Sequence, residues 1–535
     1  MVGGKVGLDG IHGATFSSVT IDSTSPATAV QIGDPITQKK LSDAIVKEAR
    51  DMNLYNSITD DGAGGLSSSV LEMAKESGGV KVCLEKVPLK YPGLKPWEIW
   101  ISESQERMTL SVPENKWKTF QKLMESRGVE ATVIGEFNNS GKVVVKYGGK
   151  KIMDLEMEFL HNGLPREYLV TDSTSPQSSP ERRGGLFPFQ GKAGNEVLER
   201  MLSDKNISGY SFISEQYDHE VQASSVLKPL SGPGRINTDT QVIKPVLNSN
   251  KGVVLSYGVY PSYGDVDIYQ MAACAIDTAV RNIITAGGTL SHLALLDNFC
   301  WCSSNDPKRL YQLKEAVKAC YDCAVAYGTP FISGKDSMFN DFKGYDEKGN
   351  PVAISIPPTL LISGISVMQD INKTVSPEFK NAGDIIYLLG ETKEESGAPK
   401  VDLEKNLKTY QALEKAIKKE LITSSLSVTS GGLGIALAKA CVGGMLGCKI
   451  SLNSIGQNLR IDAKLFSESQ GRILVSVSPK NIKGFEKMCI VISYAKLGKT
   501  EKNGKIKIND SRKKIVETNV QKLHKIYHRF SNSMK

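Results

Sequence analysis

A carboxylate stands close to a pair of glycines near the start of this 535-residue chain. Asp60 lies four residues before Gly64, the first glycine of the pair, at the predicted end of a short strand. A carboxylate in a glycine-flanked loop suits Mg²⁺, a hard cation that takes oxygen ligands and commonly bridges to substrate phosphates. The pattern makes Asp60 a candidate metal ligand, and the alternative is an ordinary solvated turn residue.

Two further polar clusters follow predicted apolar strands in the middle of the chain. The strand 291–296 leads into Asp297, and the strand 330–333 leads into a cluster that contains Gly334, Asp336 and Ser337. Open α/β sheets commonly hold ligands at the carboxyl ends of their strands, so we expect both clusters at one such edge. Each carboxylate alone can also be a turn former, but two clusters joined by one crossover helix favour a binding site.

The opening of the chain is rich in glycine, with five glycines from Gly3 to Gly13. Such a loop has little side-chain bulk, so an anion can approach its backbone amides. The two standard phosphate loops are absent: the Gly-Lys-Thr at Gly498 has Ser493 where a Walker loop needs glycine, and no glycine triplet has dinucleotide spacing after a strand. Nucleotide binding here requires another architecture.

The chain contains a duplicated module. Ser102-Glu-Ser-Gln105 recurs as Ser467-Glu-Ser-Gln470, and a glycine pair precedes the tetrapeptide in both copies at similar distance. Each copy then has two glycines six residues apart, which we expect to frame a hairpin turn: Gly135 and Gly141, and Gly498 and Gly504. Ser427 takes the place of Asp60 in the second copy and cannot supply a negative charge. We infer that the first copy carries ligands and that the second is its structural counterpart.

Composition excludes several classes of protein. The formal net charge is +8, but acidic and basic residues are mixed along most of the chain, so we expect no nucleic-acid partner. No run of 18 apolar residues and no signal peptide is present, which predicts a cytoplasmic protein with no membrane partner. Nine cysteines do not form a disulfide framework. Cys300 and Cys302, with Cys320 and Cys323, have zinc-like spacing, but the second pair lies in an amphipathic helix, where core packing is favoured.

Strands, glycine loops and helices alternate along the chain, which predicts an α/β fold with α+β mixed. A polar, proline-rich stretch predicts a linker at 171–204. It separates a first domain at 1–170 from a middle domain at 205–370, and the second copy follows at 380–535.

Five motifs, which occur in this order along the chain, resemble those of a known family. They are Gly-Leu-Asp-Gly-Ile-His-Gly-Ala-Thr-Phe from residue 7, the segment around Gln31, Ser-Glu-Ser-Gln-Glu-Arg, Tyr-Gly-Asp-Val-Asp and Ser-Gly-Lys-Asp-Ser. The chain resembles the synthase subunits of phosphoribosylformylglycinamidine synthase. The resemblance implies AIR-synthase-like modules, in which 1–170 and 380–535 are two larger, duplicated C-terminal-like domains. They flank one small central domain of the N-terminal-like kind at 205–370.

The resemblance also implies an activity and a set of site residues. Family members use ATP to convert formylglycinamide ribonucleotide to the amidine, with ammonia derived from glutamine. Carried over by position, the substrate-binding residues are Gln31, Glu103, Ser104, Gln105 and Ser337; Asp297 and Gly334 bind ATP; and Asp60 binds Mg²⁺. Lys335 stands where many relatives have a metal-binding Asn, which leaves Asp336 as the second candidate metal ligand.

Family members begin with a further small domain that carries the catalytic His, and we expect that this domain is missing here. The catalytic residue is therefore unassigned, and we expect the chain alone to be inactive and to associate with itself or with the missing domain. The implied partners are a glutaminase subunit and a small accessory subunit. The alternative is a non-catalytic, nucleotide-binding scaffold subunit derived from the synthase.

Overall fold

The computed structural model describes residues 1–11, 20, 22, 33–173, 193–216, 223–395, 397–456 and 458–534. Gln31 lies outside these residues. The chain divides into two compact units: the first comprises Met1–Leu169 with Met338–Ser355, and the second comprises Val170–Ser337 with Ile356–Lys535. Each unit is built from both helices and sheets, as the alternating pattern predicts.

The strands are, in chain order, β1 Val2–Gly3, β2 Ser57–Asp60, β3 Val80–Cys83, β4 Arg107–Ser111, β5 Gly135–Phe137, β6 Lys142–Tyr147, β7 Lys150–Glu156, β8 Ser225–Leu227, β9 Leu230–Ser231, β10 Ile236–Asn237, β11 Thr240–Ile243, β12 Gly252–Val259, β13 Leu293–Cys300, β14 Phe331–Ser337, β15 Asp341–Tyr345, β16 Pro351–Ser355, β17 Thr359–Met368, β18 Ile385–Leu389, β19 Ser424–Ser427, β20 Gly447–Ser451, β21 Ile473–Val477, β22 Tyr494–Glu501, β23 Lys505–Asp510 and β24 Lys513–Asn519.

The α-helices are α1 Pro35–Ala44, α2 Leu66–Ser77, α3 Pro96–Ile101, α4 Glu114–Ser126, α5 Met157–Asn162, α6 Asn195–Leu202, α7 Ser211–Ser214, α8 Ile268–Thr285, α9 Pro307–Tyr327, α10 Leu403–Lys418, α11 Gly432–Gly444, α12 Ile461–Phe466, α13 Ile482–Cys489 and α14 Val520–Ser533. A π-helical turn, Ile45–Ala49, extends α1. No helix among the described residues is long and apolar enough to span a membrane.

The second unit contains a six-stranded sheet in the order β14-β13-β17-β12-β11-β8. Helix α8 packs against it and is buried along most of its length, and Asp267 caps its start by accepting a hydrogen bond from the Gln270 amide. Strand β12 alternates buried and exposed residues, because every second side chain of a strand points to the same face and one face packs against α8.

The duplication is confirmed by sheet topology. In the second copy a seven-stranded sheet runs in the order β19-β21-β18-β22-β20-β23-β24. In the first copy the equivalent strands form two sheets, β2-β4-β1 and β5-β3-β6-β7. When these two orders are placed one after the other, each strand corresponds in turn to a strand of the seven-stranded sheet. One architecture is therefore built twice from sequences that share few residues.

The predicted hairpins are wrong. Strands β5 and β6 are not neighbours, because β3 lies between them and pairs antiparallel with β5 and parallel with β6. In the second copy β20 separates β22 from β23 in the same way. The glycines do lie between the strands, but the strands on either side of them do not pair with each other. Instead β5 and β6 both pair with the earlier strand β3, and β22 and β23 both pair with the earlier strand β20.

Two strand ends also differ from the prediction. Strand β13 continues to Cys300 and β14 to Ser337, so the polar clusters lie within the strands rather than after them. The parallel ladder between the two strands continues through both clusters, and β14 is the edge strand. Charged side chains are common on edge strands, where they discourage pairing with a strand of another molecule.

Candidate functional site

In the first copy, a turn at Ser102–Gln105 organises the glycine loop at the start of the chain. The Ser102 hydroxyl donates to the Gly7 carbonyl oxygen at 2.7 Å, and the Gly7 amide donates to the Ser104 hydroxyl at 2.9 Å. The Ser104 hydroxyl in turn donates to the Asp9 carboxylate. Both serines are fully buried, so their hydroxyls hold the loop in place while Gln105 stays exposed.

Glu103 lies between two glycine-rich segments. Its amide donates to the Asp9 carbonyl oxygen at 2.7 Å, and its side chain accepts a hydrogen bond from the Gly64 amide at 3.4 Å. A side chain at Gly10 would meet the Glu103 carboxylate at 2.8 Å, so only glycine fits this approach. Glu103 is thus buried where the glycine loop and the turn after β2 come together.

Asp60 is the last residue of β2 and is exposed. One carboxylate oxygen accepts a hydrogen bond from the Gly62 amide at 2.9 Å, and within the described part of the chain the other oxygen accepts none. These residues fit a hard cation only in part, since no group of three or more metal-ligating side chains occurs among the described residues. A Mg²⁺ ion held by Asp60 would take its remaining ligands from water and phosphate oxygens.

Asp9 and Lys90 are site residues that sequence reasoning missed. Lys90 Nζ lies 2.8 Å from the Asp9 carboxylate, which the Ser104 hydroxyl also contacts. Partial burial opposes ionisation of Asp9, but the hydrogen bonds from Lys90 and Ser104 outweigh it and hold the pKa of this carboxyl below its usual value. Gly7 and Gly10, on either side of Leu8-Asp9, were a local signal that other segments can approach this loop closely. Lys90 was not recognisable as the partner of Asp9, because 81 residues separate the two in the sequence.

The equivalent turn of the second copy has the same hydrogen bonds. The Ser467 and Ser469 hydroxyls contact each other and the Lys393 carbonyl oxygen, as the serines of the first copy contact Gly7. Glu468 accepts from the Gly431 amide at 2.7 Å, as Glu103 accepts from Gly64. The two tetrapeptides are therefore one structural motif.

The second copy is not simply packed at this place, which corrects our expectation of a purely structural counterpart. Ser427 and Glu468 line a cleft of about 800 Å³ in the second unit, together with Asn282 and Lys439. Burial raises the pKa of Glu468, although hydrogen bonds from Tyr263 and the Gly431 amide oppose this change. The cleft is polar and large enough for a nucleotide-sized ligand.

Asp297 and Gly334, the two predicted ATP-binding residues, are in contact in the second unit. They are directly opposite each other on the parallel strands β13 and β14. A side chain on Gly334 would meet the Asp297 carboxylate at 2.5 Å, so the carboxylate occupies the space that glycine leaves open. Burial raises the pKa of Asp297, the Lys335 amide lowers it, and the nearby Asp336 raises it further.

Strand alternation separates Ser337 from these two residues. Asp336 lies on the same side of β14 as Gly334 and is exposed, whereas Lys335 and Ser337 point to the opposite side. The Lys335 ammonium donates to the Ser337 hydroxyl. Lysine at this position therefore contacts a predicted substrate-binding residue and cannot itself bind a metal ion.

The four cysteines with zinc-like spacing lie in the second unit. Cys302, Cys320 and Cys323 are buried, and burial raises the pKa of Cys320 to about 12. A thiol that resists ionisation is a poor metal ligand, so the packing interpretation fits these residues better than a zinc site.

Comparisons with known proteins agree with this architecture. The model for the C-terminal domain of AIR synthase related proteins matches residues 1–148 and 382–511, and the model for the N-terminal domain matches 237–355. The phosphoribosylformylglycinamidine synthase subunit PurL of Thermococcus sibiricus is 31% identical over 98% of this chain and 72% of the relative. That of Methanocaldococcus jannaschii is 31% identical over 98% of this chain and 71% of the relative.

The chain belongs to the PurL family. Solved structures of a PurL from Thermotoga maritima share its fold: the complex with FGAR has a TM-score of 0.65 at 22% identity, covering 94% of this chain and 71% of that one. The complex with ATP has a TM-score of 0.61 at 20% identity, covering 94% and 70%. The PurL family assignment confirms the AIR-synthase-like fold expected from the sequence.

Proposed function

We propose that this chain carries out the synthase reaction of its family, the ATP-dependent conversion of formylglycinamide ribonucleotide to the amidine in purine biosynthesis. One observation supports this most: Glu103 accepts from the Gly64 amide and Ser104 from the Gly7 amide, so hydrogen bonds join the glycine loop to the turn that follows Asp60. The exposed Asp60 carboxylate has one oxygen that accepts no hydrogen bond from the described residues, which leaves it open to a cation. The PurL of Thermotoga maritima has been solved with FGAR and with ATP, which are the substrates this proposal requires.

The proposed substrate-binding residues are those that the family resemblance indicates. Gln31, Glu103, Ser104 and Gln105 bind the ribonucleotide. The exposed Gln105 amide both donates and accepts hydrogen bonds, which suits a ribose or a formamide group. In the second unit, the Ser337 hydroxyl contacts the substrate and is oriented by Lys335.

ATP and its metal use different groups. Asp297 and Gly334 bind ATP, where the absence of a side chain on Gly334 leaves room for the Asp297 carboxylate beside the strand. Asp60 and Asp336 are the two candidate ligands for Mg²⁺, and the ion would neutralise phosphate charge. The protein's contribution to phosphorylation of the amide oxygen, and to displacement of phosphate by ammonia, is positioning and charge neutralisation.

We further propose that ammonia comes from glutamine through a separate glutaminase subunit with a small accessory subunit, in the cytoplasm. A PurLQS assembly has been solved from Thermotoga maritima, which supports a multi-subunit enzyme. The chain covers 65–72% of the curated relatives' length. We propose that an amino-terminal domain, supplied in cis or in trans, is needed for turnover.

The duplicated turn offers a matched test of the substrate site. Glu103→Gln and Glu468→Gln make the same change in the same local fold. Calorimetric titration with formylglycinamide ribonucleotide should show at least about tenfold weaker binding for Glu103→Gln and unchanged binding for Glu468→Gln. Equal effects of the two substitutions, or none, would contradict the assignment of the first copy as the substrate site.

The requirement for a further domain has its own test. Amidine formation is measured with ATP, Mg²⁺ and ammonium, first with the chain alone and then with the leading segment of the Thermococcus sibiricus relative added. We expect product only in the second case. Turnover by the chain alone would contradict the requirement but support the synthase activity.

The cleft of the second unit supports a second candidate, a non-catalytic scaffold subunit that binds nucleotide. It brings Lys439, Asn282 and Glu468 around a space of about 800 Å³. A chain that binds ATP tightly, with Lys439→Met abolishing binding, yet never forms amidine with the added segment, would favour this alternative over the synthase.

A further inference from the structure

The positive charge of this protein is concentrated at its carboxyl end. Residues 499–535 contain 11 lysines and arginines and 3 acidic residues, an excess that equals the formal net charge of +8 for the entire chain. This segment forms the end of β22, strands β23 and β24, and helix α14. The strand region 499–519 holds 7 of these basic residues and all 3 acidic ones, so half of the excess falls on one end of the second copy's seven-stranded sheet.

Three lysines stand side by side across this end of the sheet. Lys449 on β20 is directly opposite Lys499 on β22 and Lys507 on β23, and Lys507 is opposite Glu517 on β24. Directly opposed residues share a face, with neighbouring side chains about 5 Å apart. We call Lys499, Lys449 and Lys507 the lysine row.

The lysine row lies on the face of the sheet away from the core. Its strand neighbours Cys448, Ile506 and Ile508 are buried in the hydrophobic core, so alternation directs the lysines to the other side. Lys449 and Lys499 are exposed, and the Lys507 side chain is 41% exposed.

Few carboxylates oppose these charges. Glu517 lies 3.4 Å from Lys507 and 2.5 Å from Lys514, and Glu501 follows Lys499 on the same face of β22. Among the described residues, Lys449 and Lys499 take part in no ion pair. Lys449 and Lys499 therefore present unneutralised positive charge to solvent, whereas Lys507 is paired with Glu517.

The first copy shows that the fold does not require these lysines. Its equivalent row reads Glu136, Lys81, Val144 and Asp154, with Lys81 opposite both Glu136 and Val144. There an opposite-charge pair stands where the second copy has Lys499 against Lys449. Like charges directly opposite each other destabilise a sheet, so the second copy carries an unfavourable arrangement that its duplicate avoids.

We propose that the lysine row docks the acidic face of a protein partner. Charge complementarity selects an anionic surface, and two features favour carboxylates over a phosphate backbone. The row contains no arginine to grip phosphates in a bidentate fork, and residues 499–519 contain no aromatic side chain on which a base could stack. Glu501 and Glu517 would repel a phosphate chain, but they can pair with a basic residue of a protein partner and fix its register.

The test places the first copy's residues in the second copy. Lys499→Glu with Lys507→Val makes the lysine row and the neighbouring Glu517 read Glu, Lys, Val, Glu. This order is close to the Glu, Lys, Val, Asp of the first copy. The matched control is Lys118→Glu with Lys122→Val, which makes the same charge change at two exposed positions of α4. The probes are poly-L-glutamate of about 50 residues and an RNA duplex of about 20 base pairs, both in about 50 mM salt, where screening is weak.

We expect the wild-type and control proteins to bind poly-L-glutamate and the row variant to bind it at least about tenfold more weakly. The row variant should melt at the wild-type temperature or about 1–3 °C above it, since a repulsion is removed. The affinities of the row variant and the control for duplex RNA should differ by less than about twofold.

Three results would overturn the proposal. Poly-L-glutamate that fails to bind the wild type, or binds the row variant as well as the control, would mean that the row docks no acidic protein. RNA binding that is lost only in the row variant would assign the face to nucleic acid instead. A clear drop in melting temperature for the row variant would show that the lysines serve the fold.

Discussion

Asp61 and Arg107 form an ion pair that is wholly buried in the first copy, with 3.9 Å between Oδ2 and Nη1. Arg107 also donates to the carbonyl oxygens of Ser102 and Ser104, so the pair ties the site turn to the residue that follows β2. The second copy keeps the arginine as Arg472, which makes the same two backbone contacts. Val428 takes the position of Asp61 in the second copy. Its amide donates to the Arg472 carbonyl oxygen, as the Asp61 amide donates to the Arg107 carbonyl oxygen.

Removing this carboxylate should destabilise the first unit. We expect Asp61→Val, which inserts the second copy's residue, to lower the free energy of unfolding by about 3 kcal/mol, because it leaves the Arg107 charge buried without a partner. Urea unfolding followed by tryptophan fluorescence reports mainly on this unit, which contains Trp97, Trp100 and Trp117. Thr109→Val, the control, removes the hydrogen bonds of Thr109 to Asp61 and Ser69 but no charge, and should cost about 1–2 kcal/mol. A loss below that of the control would show that the ion pair adds nothing.

Gly334→Ala should impair ATP binding without unfolding the protein. The new methyl group would meet the Asp297 carboxylate at 2.5 Å and displace it. We expect at least about tenfold weaker ATP binding by calorimetry, with little change in melting temperature. In the control, Gly484→Ala, the methyl group meets only the end of the Leu421 side chain, at 3.2 Å. Unchanged ATP affinity in Gly334→Ala would exclude Asp297 from the nucleotide site.

Asp297 should make stability depend on pH in an unusual direction. Because burial raises its pKa, Asp297 binds its proton more tightly in the folded state, and its ionisation destabilises the fold as the pH rises. We expect Asp297→Asn to melt above the wild type at pH 7 and level with it below about pH 3, where the carboxyl is protonated in both states. Differential scanning fluorimetry across this range measures the difference.

Asp322 provides the opposite sign as a control for that experiment. Hydrogen bonds from Lys318 and Tyr269 hold the pKa of Asp322 below its usual value, so its ionised form stabilises the fold above its unfolded pKa. Asp322→Asn should melt below the wild type at pH 7, and the difference should vanish as the pH falls. If both variants shift in the same direction, the assignment of Asp297 is wrong.

The open face of the six-stranded sheet should cause association. Leu255 and Tyr257 on β12, with Ile365 and Val367 on β17, lie on the face of the sheet opposite α8 and are each 37–42% exposed. Apolar side chains grouped on one face favour burial against another surface. We expect light scattering to show a species larger than a monomer, and Ile365→Lys with Val367→Lys to reduce it. A stable monomer of the unmodified chain at micromolar concentration would contradict this prediction.

Several features were predictable because they are local in the sequence. Alternating strands and helices gave the α/β class, and Gly64-Gly65 before an apolar run gave the start of α2. The repeated Ser-Glu-Ser-Gln gave the duplication, because a turn stabilised by its own serine hydroxyls and by hydrogen bonds to nearby backbone needs the same residues each time. These signals depend on spacings of a few residues.

The contacts that define the site were decided by tertiary structure. Asp9 meets Ser104 across 95 residues, Asp61 meets Arg107 across 46, and Lys449 stands beside Lys499 across 50. Spacing within a strand fixes which side chains share its face, but the partner strand and its register are chosen by how the buried faces pack together. The sequence alone therefore determined the modules, whereas burial across distant segments decided which charges became neighbours.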